Sequence, residues 1–481
     1  MKLSRLIAVD RDVEITGIVT DSRKVRKGNL FLCLKGEKYD GHCFVQEALK
    51  NGAAAIVSEK KLGIENEILV PDTHRAASSL FSAWYGNPQK DLVIFGVTGT
   101  NGKTSTVSIL DAIYRRAGLK TATIGTLGIT IDGESEASDN TTPLPEQLYA
   151  KLYQAKEKGV RRVFMEVSSH ALARYRTADL HFDTAIYTNL TQDHLDYHKT
   201  MAEYAKAKQV LFRQCNKGLF NYDDPYSYDA SRCASCQRFG YGHKKGCDFR
   251  LSSVKATSFD GLSYRICYQN RTIAIQSPLI GQFQIYNSLA AISASLLDGA
   301  DCEVIKQALS EFHGVKGRLE ILYNDAFTLI LDYAHTPDAL LSVLNLLREY
   351  RRSEKHSRRL RVLFGCGGDR DRSKRPVMGH IASRLADDVI VTSDNPRSEE
   401  KGGIIRDILS GADISKTATT LKVIEDRREA LQYAVDSARE GDILLVAGKG
   451  HEEYEIDCNG KHAFSERQIL LERMRYHGYL Y

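Results

Sequence analysis

The sequence predicts an α/β protein of three domains. Three observations carry this: its 481 residues exceed what one hydrophobic core organises, stretches of strand and helix character alternate along it, and a glycine-rich turn ending in Lys-Thr stands between an apolar strand and an amphipathic helix. Composition agrees with a folded chain, since 42% hydrophobic and 26% charged residues with only 9 Pro leave little room for long disordered tracts.

The first domain is assigned to residues 1–90, with short strands in ITGIVTDSR and NLFLCLKG, a helix from Phe44 to Lys50 and a strand in AAAIVS. A boundary is placed near Asn87, Pro88 and Gln89. The central domain, 91–314, opens on the apolar strand Leu92 to Val97. A helix follows on which Val107, Leu110, Ile113 and Tyr114 share one face and Gly118 is the stop signal. Two further buried strands, Val163 to Val167 and Thr184 to Thr188, end in polar residues that cluster beside the same turn, so this domain reads as a parallel sheet of the P-loop ATPase kind. The third domain, 315–481, alternates strand and helix through FTLILDYAH, PDALLSVLNLLREY, RVLFGCGGD, KRPVMGHIASRLA, DDVIVTSDNPR and DILLVAGKGHE. That alternation predicts a Rossmann-like sheet, and without a GxGxxG fingerprint it implies no dinucleotide. The charged stretch Arg348 to Arg361 reads as a helix end and a solvated loop.

The strongest chemical signal is GVTGTNGKT, Gly96 to Thr104. Small residues let backbone N–H groups wrap phosphate oxygens, the helix N-terminus adds positive potential, Lys103 neutralises terminal phosphates and the Thr104 hydroxyl can ligate magnesium. The motif departs from a strict Walker A, which needs glycine at Val97. Hard-oxygen ligands for Mg²⁺ are expected at neighbouring strand ends, where Glu166 precedes Ser168, Ser169 and His170, and where Asp193 and His194 follow AIYTNL. Beyond them, MAEYAKAKQVLF predicts a helix with Met201, Tyr204, Leu211 and Phe212 as its apolar stripe. Lys208 falls on that stripe and Lys206 points away. A lysine there ordinarily snorkels to solvent; one beside magnesium would need carbamylation to become an anionic oxygen ligand.

A net charge of +5 over this length favours small anionic substrates slightly and shows no basic stripe for nucleic acid. No stretch has the length of a membrane helix, and the apolar run Leu6 to Val9 stops at Asp10, too short for a signal peptide, so a cytoplasmic protein with ten reduced cysteines is expected. Cys233, Cys236, His243 and Cys247 stand at spacings that resemble a small zinc site, against which stands the reading of a surface loop with incidental thiols.

Taken together, TGTNGKT, EVSSH, TNLTQDHLDYH, KGRLE, DYAHTPDAL, GGDRDRSKRPVMG, DNPR and GKGHE resemble the Mur ligases, from Thr20 to Glu466. The resemblance implies an N-terminal domain for the UDP end of the substrate, a central ATP domain and a C-terminal domain that closes over them. It implies that Thr20, Asp21, Ser22 and Arg23 belong to the nucleotide-sugar pocket. Asn140, Thr141, Thr142, Ser168, Arg174 and Arg176 would belong to the rest of the UDP-muramoyl dipeptide site, with Arg174 standing where relatives can carry an uncharged residue. ATP falls to Gly99, Thr100, Asn101, Gly102, Lys103 and Thr104 with Asn287, Arg318, Asp332 and His335; Gln284 replaces an asparagine usual in relatives, which implies altered geometry more than lost binding. Glu166, His194 and Lys208 match the family's metal positions beside Thr104, Lys208 as a carbamylated lysine, and Lys103, Lys208, His194 and Arg318 are the residues expected to carry catalysis.

For the incoming amino acid, DNPR resembles the diaminopimelate-adding branch. Diaminopimelate has a second carboxylate, which a planar guanidinium at Arg397 can clamp bidentately. Arg370, Asp394, Asn395, Pro396, Gly448 and Glu452 complete that pocket, Glu452 pairing with the distal ammonium. The SEEKGG stretch lacks a proline common in relatives, and FSERQ is less acidic than theirs. The expected reaction adds meso-diaminopimelate to UDP-MurNAc-L-Ala-D-Glu through an acyl phosphate, with Mg²⁺ as cofactor and a monomer as the working unit. A lysine-adding ligase, a folylpolyglutamate synthetase and an inactive nucleotide-sugar-binding module are the competing readings.

Overall fold

The computed structural model describes residues 1–480 apart from 10–11, 37–38, 259–260, 354–358 and 414–419. Asp10 and part of the charged stretch expected between Arg348 and Arg361 lie outside the described residues; the helix before that stretch runs Pro337–Ser353.

Three main sheets follow one another along the chain. The first is a four-stranded parallel sheet in sequential order, Gly17–Val19, Asn29–Leu32, Ala55–Ser58 and Glu67–Leu69. Phe44, expected to open a helix, closes a 3₁₀ turn instead, and the helix is Val45–Lys50. Helix Thr73–Trp84, capped by the Asp72 carboxylate accepting from Arg75 N–H, packs on helix Pro145–Glu157 of the second unit, where the hydroxyls of Ser78 and Tyr149 lie 2.9 Å apart. One apolar cluster runs from Leu30 and Val57 through Leu80 to Leu148 and Val163, so these two units share a core.

The second sheet has eleven strands, and Val93–Thr98 lies near its middle between Arg162–Glu166 and Phe182–Tyr187, parallel to both. From that strand the chain builds first towards one edge and then towards the other, so the glycine-rich turn sits at the switch point, where an open α/β sheet leaves a crevice beyond its carboxyl ends. Helix Lys103–Arg116 buries the four predicted residues, Val107, Leu110, Ile113 and Tyr114, each contributing about 2 kcal/mol of apolar burial. The expected parallel sheet is present and is extended at both edges by antiparallel strands, Gly128–Ile131 with Glu134–Glu136 and Gly261–Tyr268 with Arg271–Ser277. Local sequence reads such hairpins poorly, because only pairing decides their direction.

The third sheet has six strands in the order Glu320–Asn324, Thr328–Asp332, Ile443–Ala447, Leu360–Phe364, Asp388–Val391 and Thr420–Val423, the first antiparallel and the rest parallel. Its two faces bury separate clusters, one with Leu340, Met378 and Ile404, the other with Leu431, Leu470 and Met474. This lobe is docked on the second. Asn101 Nδ2 donates to Asp338 at 3.0 Å, Arg318 Nη2 to Thr104 Oγ1 at 3.2 Å, and Gln192 Nε2 to Ser373 Oγ at 3.0 Å. No helix among the described residues is long and apolar enough to cross a membrane.

Candidate functional site

The glycine-rich turn leaves strand Val93–Thr98 and enters its helix through two glycines with left-handed backbones, Gly99 at φ 148° and Gly102 at φ 86°. A Cβ on Gly102 would lie 2.3 Å from Asn287 Oδ1, so only glycine lets that side chain lie against the loop. Asn287 is fixed in turn by donating to Gln284 Oε1 at 2.9 Å, which gives the substituted glutamine a definite role in orienting it. Asn101 N–H donates to Asn189 Oδ1, and the Thr188 hydroxyl donates to Asn101 O, tying the loop to the neighbouring strand.

Two lysines converge on one carbonyl oxygen. Lys103 Nζ donates to Gly99 O at 2.9 Å and Thr100 O at 2.8 Å, and Lys208 Nζ donates to Gly99 O at 2.9 Å. Lys208 is 1% exposed, and its amine lies 4.6 Å from the centre of the Tyr204 ring. Burial first, and the positive Lys103 second, hold its pKa well below the usual lysine range. The expectation that Lys208 lies on the inner face and Lys206 outside is met. The predicted single helix, however, ends at Gln209 and continues as a 3₁₀ turn, Val210–Arg213.

Thr104 Oγ1 donates to Glu166 Oε1 at 2.9 Å, and Thr126 N–H donates to the same oxygen at 2.9 Å. This places a hard-oxygen hydroxyl and a buried carboxylate side by side at the loop, a pair suited to Mg²⁺. His194, in a left-handed conformation, has Nε2 3.4 Å from Asp193 Oδ2 and its ring 4.9 Å from that of His170. Burial is the main reason its pKa is lowered, to about 3, so its ring is neutral and able to act as a ligand. Among the described residues, no three His, Cys, Asp or Glu side chains gather into a metal-holding group. In the candidate cysteine cluster, Cys233 is exposed, Cys236 and Cys247 are half-buried, and His243 N–H donates to Asp223. All ten cysteines are free thiols.

Beside Glu166 lie the dipeptide-site candidates. Arg176 Nη1 donates to Thr142 O at 2.7 Å and Asn140 Oδ1 at 3.3 Å, while Ser168 N–H donates to Thr142 Oγ1 at 3.0 Å. The Thr141 and Thr126 hydroxyls are 3.1 Å apart, and Arg174 lies over Tyr197, donating to its hydroxyl at 3.3 Å. Of the nucleotide-sugar candidates, half-buried Thr20 follows the first strand, Ser22 donates to Glu47 at 2.6 Å, and exposed Arg23 grips Asp21 through two hydrogen bonds.

Between the second and third lobes lies a cavity of about 340 Å³, lined by Asn101, Gly102, Asn287, Arg318, Asp332 and His335 among others. Asp332, at the end of strand Thr328–Asp332, accepts from Leu319 N–H and Ala334 N–H, which ties the residue after Arg318 to that strand. His335 Nδ1 donates to Tyr333 O at 2.9 Å.

On the far side of Arg318 stand the residues expected from the sequence to take the incoming amino acid. The Arg318 guanidinium lies 4.2 Å from the centre of the Tyr333 ring, and Tyr333 Oη donates to Glu452 Oε1 at 3.2 Å. Lys449 Nζ and Ile456 N–H both donate to Asn395 Oδ1, which turns its amide nitrogen to donate to Glu452 Oε2 at 2.9 Å. Asp394, beside Gly448, is buried, which alone raises a carboxyl pKa, yet Lys449 and Arg427 bring it below the usual range. Arg397 Nη1 donates to Gly368 O at 2.8 Å, between Pro396 and the loop bearing Arg370. Reasoning from sequence missed Tyr333 and Lys449. Both lie inside motifs it quoted, DYAHTPD and GKGHE, but a tyrosine and a lysine flanking stronger signals gave no reason to single them out.

The chain matches three family models in succession: Mur ligase family, catalytic domain, at 14–84; Mur ligase middle domain at 97–295; and Mur ligase, glutamate ligase domain, at 317–450. It belongs to the Mur ligase family. Among Mur ligases, it is similar to the UDP-N-acetylmuramoyl-L-alanyl-D-glutamate–2,6-diaminopimelate ligase of Syntrophomonas wolfei, 42% identical over 96% of this chain and 95% of that one. The protein of the same name from Geobacillus kaustophilus is 42% identical over 97% and 96%. A solved structure of a ligase of that name superposes with a TM-score of 0.69 at 32% identity, covering 99% of each chain. The MurF ligase of Thermotoga maritima in complex with ADP shares the fold, with a TM-score of 0.64 at 18% identity over 95% and 97%.

Proposed function

We propose that this Mur ligase is an ADP-forming enzyme of peptidoglycan synthesis that adds meso-diaminopimelate to UDP-MurNAc-L-Ala-D-Glu. The observation that carries the reading is the continuous path from amine pocket to phosphate loop: Glu452 to Tyr333 to Arg318 to Thr104, crossing two lobes in three contacts.

ATP fills the cavity, its adenine end at Asn287 and its phosphates on Gly99 to Thr104. The D-glutamyl carboxylate, held by the Asn140 to Thr142 segment with Ser168 and Arg176, attacks the γ-phosphorus, and the bond to the β,γ-bridging oxygen breaks to release ADP and leave an acyl phosphate. Lys103 and Arg318 stabilise charge on the transferring group. The diaminopimelate amine then attacks the acyl carbon, the tetrahedral intermediate collapses, and inorganic phosphate leaves with the proton balance completed by solvent. Arg397 reads the distal carboxylate and Glu452 the distal ammonium. Docked lobes keep water from the acyl phosphate.

Thr104 and Glu166 would hold Mg²⁺, which supplies charge stabilisation on the phosphates when bound. His194 and Lys208 would serve a second ion. Unmodified, Lys208 offers no oxygen ligand; its amine, held well below the usual lysine pKa range by burial, would on taking up carbon dioxide become a carbamate, which offers two. Division at residues 90 and 314, the UDP pocket at Thr20 to Arg23, a monomer as working unit and a cytoplasmic location complete the proposal. The free thiols support that location.

Release of ADP, measured with UDP-MurNAc-L-Ala-D-Glu and each of diaminopimelate, lysine and ornithine, tests the reading. Turnover with diaminopimelate alone is expected. Strong lysine turnover would move the chain to the lysine-adding branch, and no turnover with any amine would leave a binding module.

A further inference from the structure

Arg397 has a left-handed backbone, φ 54°, a conformation uncommon for a side chain of this size. Facing it on the loop after strand Leu360–Phe364, Asp369 is also left-handed, φ 52°. The two loops are stitched reciprocally. Ser398 N–H and Oγ donate to the Asp369 carboxylate at 2.8 to 3.1 Å, and Asp369 N–H donates back to Glu399 Oε1 at 2.6 Å. Glu399 also accepts a forked pair from Arg375, at 2.8 and 3.0 Å, and Arg375 is 1% exposed and donates to Gly367 O as well. Gly367 and Gly368 are the residues over which the Arg397 guanidinium lies: a Cβ on Gly367 would sit 2.9 Å from Arg397 Nη1. Arg397 N–H donates to Ile456 O at 3.0 Å, fixing the third side.

We propose that Glu399, clamped between Arg375 and Asp369, is a positioning residue for amino-acid choice: it holds Arg397 in its left-handed conformation so that the guanidinium meets the second carboxylate of the incoming diamino acid without reorganising. The inference rests on the diaminopimelate reading above. Two features give it force. The stitches join the segment immediately after Arg397 to the glycine loop beneath it, Arg375 holds both from helix Lys374–Leu385, and none of these residues lines the nucleotide cavity. The clamp is also charge-assisted and half-sheltered, the kind of bond whose loss releases a loop without removing a core side chain. It gives the SEE sequence after DNPR a function that needs no proline: Ser398 and Glu399 supply the rigidity.

The test is steady-state ADP release by the full chain with UDP-MurNAc-L-Ala-D-Glu, varying diaminopimelate, lysine and ATP in turn, for the wild type and for Arg397→Ala, Glu399→Gln and Ser398→Ala. Glu399→Gln is expected to raise KM for diaminopimelate about tenfold while kcat and KM for ATP stay within about twofold. Preference over lysine, which lacks the second carboxylate, should fall by the same factor. Ser398→Ala, on an exposed pair that cannot disturb the core, should act in the same direction by about threefold. An unchanged KM for diaminopimelate in both variants, or losses shared equally with ATP, overturns the clamp. Failure of the substrate reading is distinct: it shows in the wild type as no preference for diaminopimelate and in Arg397→Ala as no change.

Discussion

Two buried lysines show how differently the two halves of this site are built. Lys208, in the nucleotide half, donates to a backbone carbonyl shared with another lysine and has no carboxylate within ion-pair distance among the described residues. Lys449, in the amine half, donates to Asn395 and Tyr454 and has Glu452 at 3.9 Å and Asp394 close by. Both are buried, and burial pushes both pKa values down; at Lys208 the positive Lys103 adds to the fall and Asp193 opposes it, whereas at Lys449 Asp394, Glu452 and Glu466 all oppose it. Under the proposed function, the first environment suits an amine that carbamylation would convert, and the second suits a lysine that orients its neighbours. The proposed nucleotide half is thus built around backbone carbonyls of the glycine-rich loop, and the proposed amine half around paired charges.

The largest effect that could break this contrast is at Lys208. Its replacement by Ala should lower kcat by at least about a hundredfold, with partial recovery in short-chain carboxylates, as read by ADP release. Normal turnover would show that no carbamate operates there. Next comes the cradle itself: Gly102→Ala forces a methyl group to within 2.3 Å of Asn287 Oδ1 at a left-handed position, and should weaken ATP binding by about tenfold or more in calorimetry. Diaminopimelate affinity should be spared, and equal loss of both would mean that the halves are not separate.

Arg397→Ala should raise KM for diaminopimelate by roughly ten- to a hundredfold with little change for ATP, the size of a lost charge-assisted pair. Equal effects on both substrates would remove Arg397 from the amine pocket. The smallest expected change sharpens the link between halves. Tyr333→Phe removes the hydroxyl on Glu452 but keeps the ring under Arg318, so KM for diaminopimelate should rise about fivefold, near 1 kcal/mol, with the acyl-phosphate step unaffected in a single-turnover measurement. A drop in that step would instead make Tyr333 part of the phosphate machinery.

The glycine-rich loop was legible because its signal is local: strand, two glycines, Lys103, Thr104 and the start of the helix lie within a dozen residues. Lys208 was legible as an inward lysine from helical spacing, and its chemical meaning came from resemblance. Harder to read were the edge hairpins of the second sheet and the hidden supports of the amine pocket. Glu399 looked like one acid in a charged run, and the bond from Arg375 that gives it a role crosses 24 residues.

The sequence by itself determined the α/β class and the glycine-rich turn with its lysine and threonine, because periodicity and short-range motifs are properties of neighbours along a chain; the residues expected to read a diacid came from resemblance to the Mur ligases. Tertiary structure alone decided that Glu452 reaches the phosphate loop through Tyr333 and Arg318, that two lysines share the Gly99 carbonyl, and that Arg397 is held from behind. Those facts depend on strand order and lobe docking, which bring Arg318 to Thr104 across 214 residues and Asp338 to Asn101 across 237.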